Sequence, residues 1–67
     1  MSYQIKENVI FRKELGSLIV LSPKSKKLFV FKGNFSNLVS DNGLIILNEE
    51  SESVIKIINL LKKEEVI

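Results

Sequence analysis

Apolar residues fall into two rhythms along this chain, a period of two before Gly33 and a spacing of three and four after it. Asn8 to Glu14, NVIFRKE, sets Val9, Phe11 and Lys13 against Ile10, Arg12 and Glu14, and its β-branched and aromatic content predicts a strand. Glu14-Leu15-Gly16-Ser17 follows as a hairpin turn, because Gly16 accepts a positive φ without cost. Ser17 to Leu21, SLIVL, reads as a second strand. It stops at SPKSKK, where Pro23 holds φ near about −65° and has no N–H for a ladder. Leu28-Phe29-Val30-Phe31 is the third strand, ended by Lys32, Gly33 and Asn34. Loops this short join antiparallel neighbours, so the three strands form a meander.

Beyond Gly33, Phe35, Leu38 and Val39 stand at i, i+3 and i+4, which predicts a helix of about two turns with Asn34 as N-cap. Asp41-Asn42-Gly43 supplies its stop, since Asn and Gly take the left-handed conformation that closes a helix. Leu44 to Leu47, LIIL, is too short for periodicity to decide, and reads as a turn of helix or an irregular buried segment, with a short buried strand as the alternative. The end of the chain is clearer. Glu49, Glu50 and Glu52 complement the N-terminus of a final helix, and Lys62 and Lys63 its C-terminus. Val54, Ile57, Ile58 and Leu61 form its apolar stripe, Ile55 and Leu60 flank that stripe, and Lys56, Asn59 and Lys63 lie opposite. The helix ends near Glu64, and Val66 and Ile67 fold back onto the core. The expected fold is α+β, a three-stranded antiparallel sheet followed by two or three helices, in a single domain over residues 1–67.

Composition narrows what such a domain does. A chain of 67 residues buries only about 60% of the surface its unfolded form exposes, which leaves little room for a pocket. It holds no cysteine and no histidine, which removes the thiolate nucleophile, the commonest general base and the commonest metal ligands. Independent catalysis is therefore disfavoured, and neither a metal nor a cofactor is expected. The formal charge of +2 is too small to argue for nucleic acid by itself. The longest apolar runs are four residues, far below a membrane span, and MSYQIKENVIF has no hydrophobic signal core. Met1 reads as a native start, and a cytoplasmic location is expected.

Two charged groups deserve both an ordinary and a functional account. Glu49, Glu50 and Glu52 are ordinary dipole partners at a helix start, against a remote reading as a metal or acid–base site. Asp41, the only aspartate, belongs to turn chemistry. Lys24, Lys26, Lys27 and Lys32 bracket the third strand, where they keep the domain soluble and discourage uncontrolled strand pairing. The compatible functional reading is steering of an acidic partner peptide. Phe29 and Phe31 share one face of the strand and Leu28 and Val30 the other, and so small a domain does not cover both. If that strand lies at the sheet edge, a peptide that adds as a further strand would satisfy it.

The order NVIFRKELGSLIVLSPKSKKLFVFKGN resembles the start of the PqqD-like family, the RiPP recognition elements. The features that carry the likeness are Val9-Ile10, Arg12-Lys13-Glu14, Gly16, Leu18 to Leu21, SPKSKK, LFVFKGN and Phe35 to Asp41. VIKIINLLKKEEVI is similar to the closing helix and tail, while GLIILNEES departs from relatives that pass directly from an Asp-Gly turn into a Thr-initiated helix. The likeness is strongest with small leader-binding proteins that accompany radical SAM maturases, including those of mycofactocin type. It implies a winged-helix-like domain, not an enzyme, that binds the leader of a ribosomally made precursor peptide and presents it to a modifying enzyme. The leader would add beside the third strand, against backbone and side chains of Lys27, Leu28, Phe29, Val30 and Phe31. The last helix would form the other wall through Ile55, Asn59 and Lys62, or through Leu60 on its opposite flank. The implied partners are that precursor and its maturase, with no nucleic acid and no membrane, for a monomer or weak dimer.

A different class stays open. Winged-helix modules read DNA with similar elements, and here Lys56, Lys62 and Lys63 with the PKSKK lysines would contact the duplex. Against this, the last helix has no arginine, and the glutamates sit at the end that would approach the groove. A third possibility is an assembly subunit that pairs its edge strand with a protein partner or with itself.

Overall fold

The computed structural model describes residues 1–48 and 51–67. The expected glutamates 49 and 50 at the start of the last helix lie outside the described residues. Strands β2 (Ile10–Glu14), β3 (Ser17–Leu21) and β4 (Leu28–Lys32) form an antiparallel sheet in that order. β2 begins two residues later than the pattern suggested, because Val9 turns inward and its N–H bonds to Lys6 O. The coarse α+β expectation is met by this sheet, the one-turn helix α1 (Asn34–Asn37) and the long helix α2 (Glu52–Lys63).

Two elements differ from expectation. Leu44–Ile46 is a strand, β5, and pairs antiparallel with β1 (Ser2–Gln4), so the helical or irregular reading of Leu44 to Leu47 is corrected. The reason is tertiary: β1 satisfies one edge of β5, while Val39 bridges Ile45 and Leu38 O accepts from Ile46 N–H on the other. The first helix is also shorter than two turns. Asn34 lies inside it, and the N-cap position is Gly33, with no side-chain cap. From Leu38 onward the backbone is bonded to β5 instead of continuing the helix. Buried Gly43 makes this possible, since a Cβ there would stand 3.1 Å from the Cβ of Ile5 and its φ is +87°.

The core lies between the two sheets and α2. Leu18 and Val20 of β3, Ile45 of β5, Ile58 and Leu61 of α2, and Val66 of the tail are all buried. Val66 N–H closes onto Leu61 O and its carbonyl accepts from Lys6 N–H, which holds the tail as expected. α2 starts with Ser51 as N-cap, its hydroxyl accepting from Val54 N–H.

The hairpin between β2 and β3 carries a defect. Leu15 and Gly16 both have positive φ, +48° and +76°, as a two-residue type I′ turn requires. A leucine tolerates that region poorly, and Leu15 is fully exposed, so no packing repays it. Leu15→Asn is expected to stabilise the domain by about 1 kcal/mol, raising Tm by roughly 4–8 °C. Thermal unfolding followed by circular dichroism checks it.

Candidate peptide-binding edge

The pairing of β4 decides which of its groups are free. Among the described residues it is bonded to β3 alone, on one side. The register sets Leu28 opposite Leu21, Phe29 opposite Val20 and Val30 opposite Ile19. Just outside the strands, Ser22 N–H donates to Lys27 O at 2.9 Å and Gly33 N–H donates to Gly16 O at 3.2 Å. In an antiparallel ladder bonded pairs alternate, so Lys27, Phe29, Phe31 and Gly33 direct their backbone groups at β3. Leu28, Val30 and Lys32 therefore turn both N–H and C=O outward along the free edge. The edge is a three-residue template with alternating donors and acceptors.

The side chains obey the same alternation. Phe29 and Phe31 are half-buried on the core side, stacked at 6.4 Å, and Phe31 continues to Phe35 at 5.7 Å. Leu28 and Val30 stand on the outer face, 63% and 50% exposed. Lys24, Lys26, Lys27 and Lys32 are exposed at the two ends of the strand.

A clasp sets the position of α2. The Glu64 carboxylate accepts from Ser25 Oγ at 2.6 Å and Ser22 Oγ at 2.8 Å, both in the β3–β4 turn. Lys24 Nζ also donates to Lys63 O at 3.4 Å. The opposite end of α2 meets α1, where Ser51 and Val54 line a hollow of about 450 Å³ with Asn34, Asn37 and Leu38. β4 runs from that same turn to that same short helix, so α2 and β4 run between the same two ends in opposite directions. Leu60 and Ile57 precede Glu64 by four and seven residues and share its flank of the helix.

Ile55, Asn59 and Lys62 occupy the other flank. They line a hollow of about 200 Å³ with Met1, Tyr3 and Leu47, and Lys62 Nζ stands 5.1 Å from the Tyr3 ring centroid. No residue of β4 lines that hollow. The structure therefore brings Lys27 to Phe31 together along one edge, but separates Ile55, Asn59 and Lys62 from it. Glu64 ties its own flank of α2, the side of Ile57 and Leu60, to the β3–β4 turn. Ile57, read from the sequence as part of the apolar stripe, is half-buried and packs against the core. Sequence reasoning missed Met1 and Tyr3, although Met1, Tyr3 and Ile5 alternate with Ser2 and Gln4.

The hydroxyls of Ser25, first, and Ser22 hold the Glu64 carboxyl below its ordinary pKa of 4.5, with Lys24 and Lys63 adding to the same effect. A depressed carboxyl contributes stability that is present above its ordinary pKa and is lost as pH falls through the folded value. Acid unfolding of the wild type below about pH 4.5 is thus expected to include loss of the clasp, and Glu64→Gln is expected to flatten that limb of the profile. Urea midpoints measured from pH 3 to pH 7 test this. Among the described residues, no group of three or more carboxylates is placed to hold a metal ion. No helix there is long and apolar enough to cross a membrane.

A scan against models of protein families, a search of curated proteins and a search of solved structures each return no match for this chain.

Proposed function

We propose that this protein binds an extended peptide by adding it as a fourth strand beside β4, and that the peptide is the leader of a ribosomally made precursor delivered to a modifying enzyme of the radical SAM type. The observation that carries the reading is the free edge of β4, whose backbone groups at Leu28, Val30 and Lys32 turn outward beside the half-buried Phe29 and Phe31. An incoming strand would bond to those groups and direct alternate side chains toward Phe29 and Phe31 on one side and Leu28 and Val30 on the other. The lysines at both strand ends favour an acidic segment and disfavour a second copy of this same lysine-flanked edge. The resemblance in NVIFRKELGSLIVLSPKSKKLFVFKGN to leader-binding domains supplies the identity of the peptide; the winged-helix-like assignment belongs to the same proposal.

The test is calorimetric titration with a synthetic leader of the precursor encoded beside this gene. Micromolar or tighter binding is the expected result. Absence of heat and of chemical-shift change would remove the leader reading. Duplex DNA serves as the contrasting ligand, since salt-dependent retardation at nanomolar protein would move the assignment to nucleic acid.

A further inference from the structure

The outer face of the three-stranded sheet breaks the usual rule that the solvent side of an antiparallel sheet is polar. One cross-strand row is Ile10, Leu21 and Leu28, and the next is Arg12, Ile19 and Val30. Ile10, Leu28 and Val30 are 70%, 63% and 50% exposed, and Leu21 and Ile19 are half-buried between them. Directly paired residues have Cβ atoms roughly 5 Å apart, so these five side chains form one continuous apolar patch. The third row carries charge only at its two ends, Glu14 on β2 and Lys32 on β4, with small Ser17 between them.

We propose that this face docks on the same face of a second copy, about a two-fold axis parallel to β3. That operation sets β2 of one copy over β4 of the other at the same height along the strands. Ile10 then packs on Leu28 of the other copy, and Glu14 meets Lys32 of the other copy twice. The Arg12 stem lies over Val30, while its guanidinium keeps Glu14, at 3.5 Å within its own chain, as partner. Charge complementarity selects both the occupant and the operator: a two-fold perpendicular to the strands sets the charged row over the apolar row instead. The near-parallel alignment agrees with face-to-face sheet packing at roughly −30°. Three five-residue strands give a face of only about 15 by 17 Å, well short of a standard interface. The dimer is consequently weak, with Kd in the high-micromolar range. It leaves the backbone groups of the β4 edge free but covers the Leu28 and Val30 side chains, and self-association measured without peptide tests it separately from peptide binding.

Sedimentation equilibrium of the full chain up to roughly 1 mM is expected to show reversible monomer–dimer exchange. Ile10→Asp, at an exposed position that leaves the core intact, is expected to weaken association about tenfold or more. Glu14→Lys and Lys32→Glu each weaken it, and the double variant Glu14→Lys/Lys32→Glu restores it to within about twofold. A monomer throughout the range overturns the proposal, as does a dimer indifferent to Ile10→Asp or a double variant no better than the singles. Protection of the Leu28 and Val30 amides on self-association would also overturn it, by showing edge pairing. So would a monomer whose outer-face methyl signals shift only with added leader peptide, which would give the face to the peptide.

Discussion

Val30→Pro weakens binding of the leader peptide about tenfold or more and leaves the domain folded. Val30 N–H is directed away from β3, so proline there costs no bond of the β3–β4 ladder, and an edge strand with its N–H toward solvent is where sheets accept proline. The bound peptide, in contrast, loses a donor and keeps an acceptor carbonyl without a partner, a penalty of roughly 1–3 kcal/mol. Phe29→Pro reverses the pattern. Its N–H belongs to the ladder, so the change destabilises the fold by roughly 1–3 kcal/mol before any peptide is added. Phe29→Asp also weakens binding, by placing a charge where the incoming strand meets an aromatic wall. Calorimetry for binding, with circular dichroism for the fold, separates the two effects. Equal loss of fold in Val30→Pro and Phe29→Pro would contradict the assigned alternation.

Leu61→Ala unfolds most of the protein at physiological temperature. Leu61 is fully buried, at the point where α2 meets the sheet and the tail closes back through the bond from Val66 N–H. Truncating such a leucine costs about 2–5 kcal/mol. A core of this size supplies only about 3–5 kcal/mol in total, so one cavity consumes most of the margin. The neighbouring Lys63→Ala, exposed on the opposite flank of the helix, is expected to change stability by less than about 0.5 kcal/mol. Urea unfolding of the three proteins distinguishes these outcomes.

Much of the architecture is legible in the chain, and the exceptions have physical causes. SLIVL is a strand over the residues its pattern marks, and LFVF needs only Lys32 added, because a period of two between turn residues has few other solutions. The α2 stripe is equally direct, since Ile58 and Leu61 are buried and the two ends of the helix carry complementary charge. LIIL could not be assigned from within, because its state depends on Ser2–Gln4, some forty residues away in the chain. The one-turn α1 has the same origin: the pattern of Phe35, Leu38 and Val39 suits a longer helix, but Leu38 and Ser40 bond to β5 instead. At the candidate site, the strand residues follow from local alternation, whereas the seating of α2 depends on Glu64 reaching two serines in a distant turn. A hydrogen bond across that span leaves no periodic trace. This is why Ile55, Asn59 and Lys62, equally plausible on a helical wheel, stand beside Tyr3 instead of β4.

The central claim is that a peptide joins β4 as a strand, and amide hydrogen exchange with the leader peptide added tests it most directly. The Leu28, Val30 and Lys32 amides are expected to change from fast to slow exchange, while Phe29 and Phe31, already bonded to β3, change little. Protection that appears instead around Tyr3, Ile55 and Lys62, or no change along β4 with peptide bound, would contradict it.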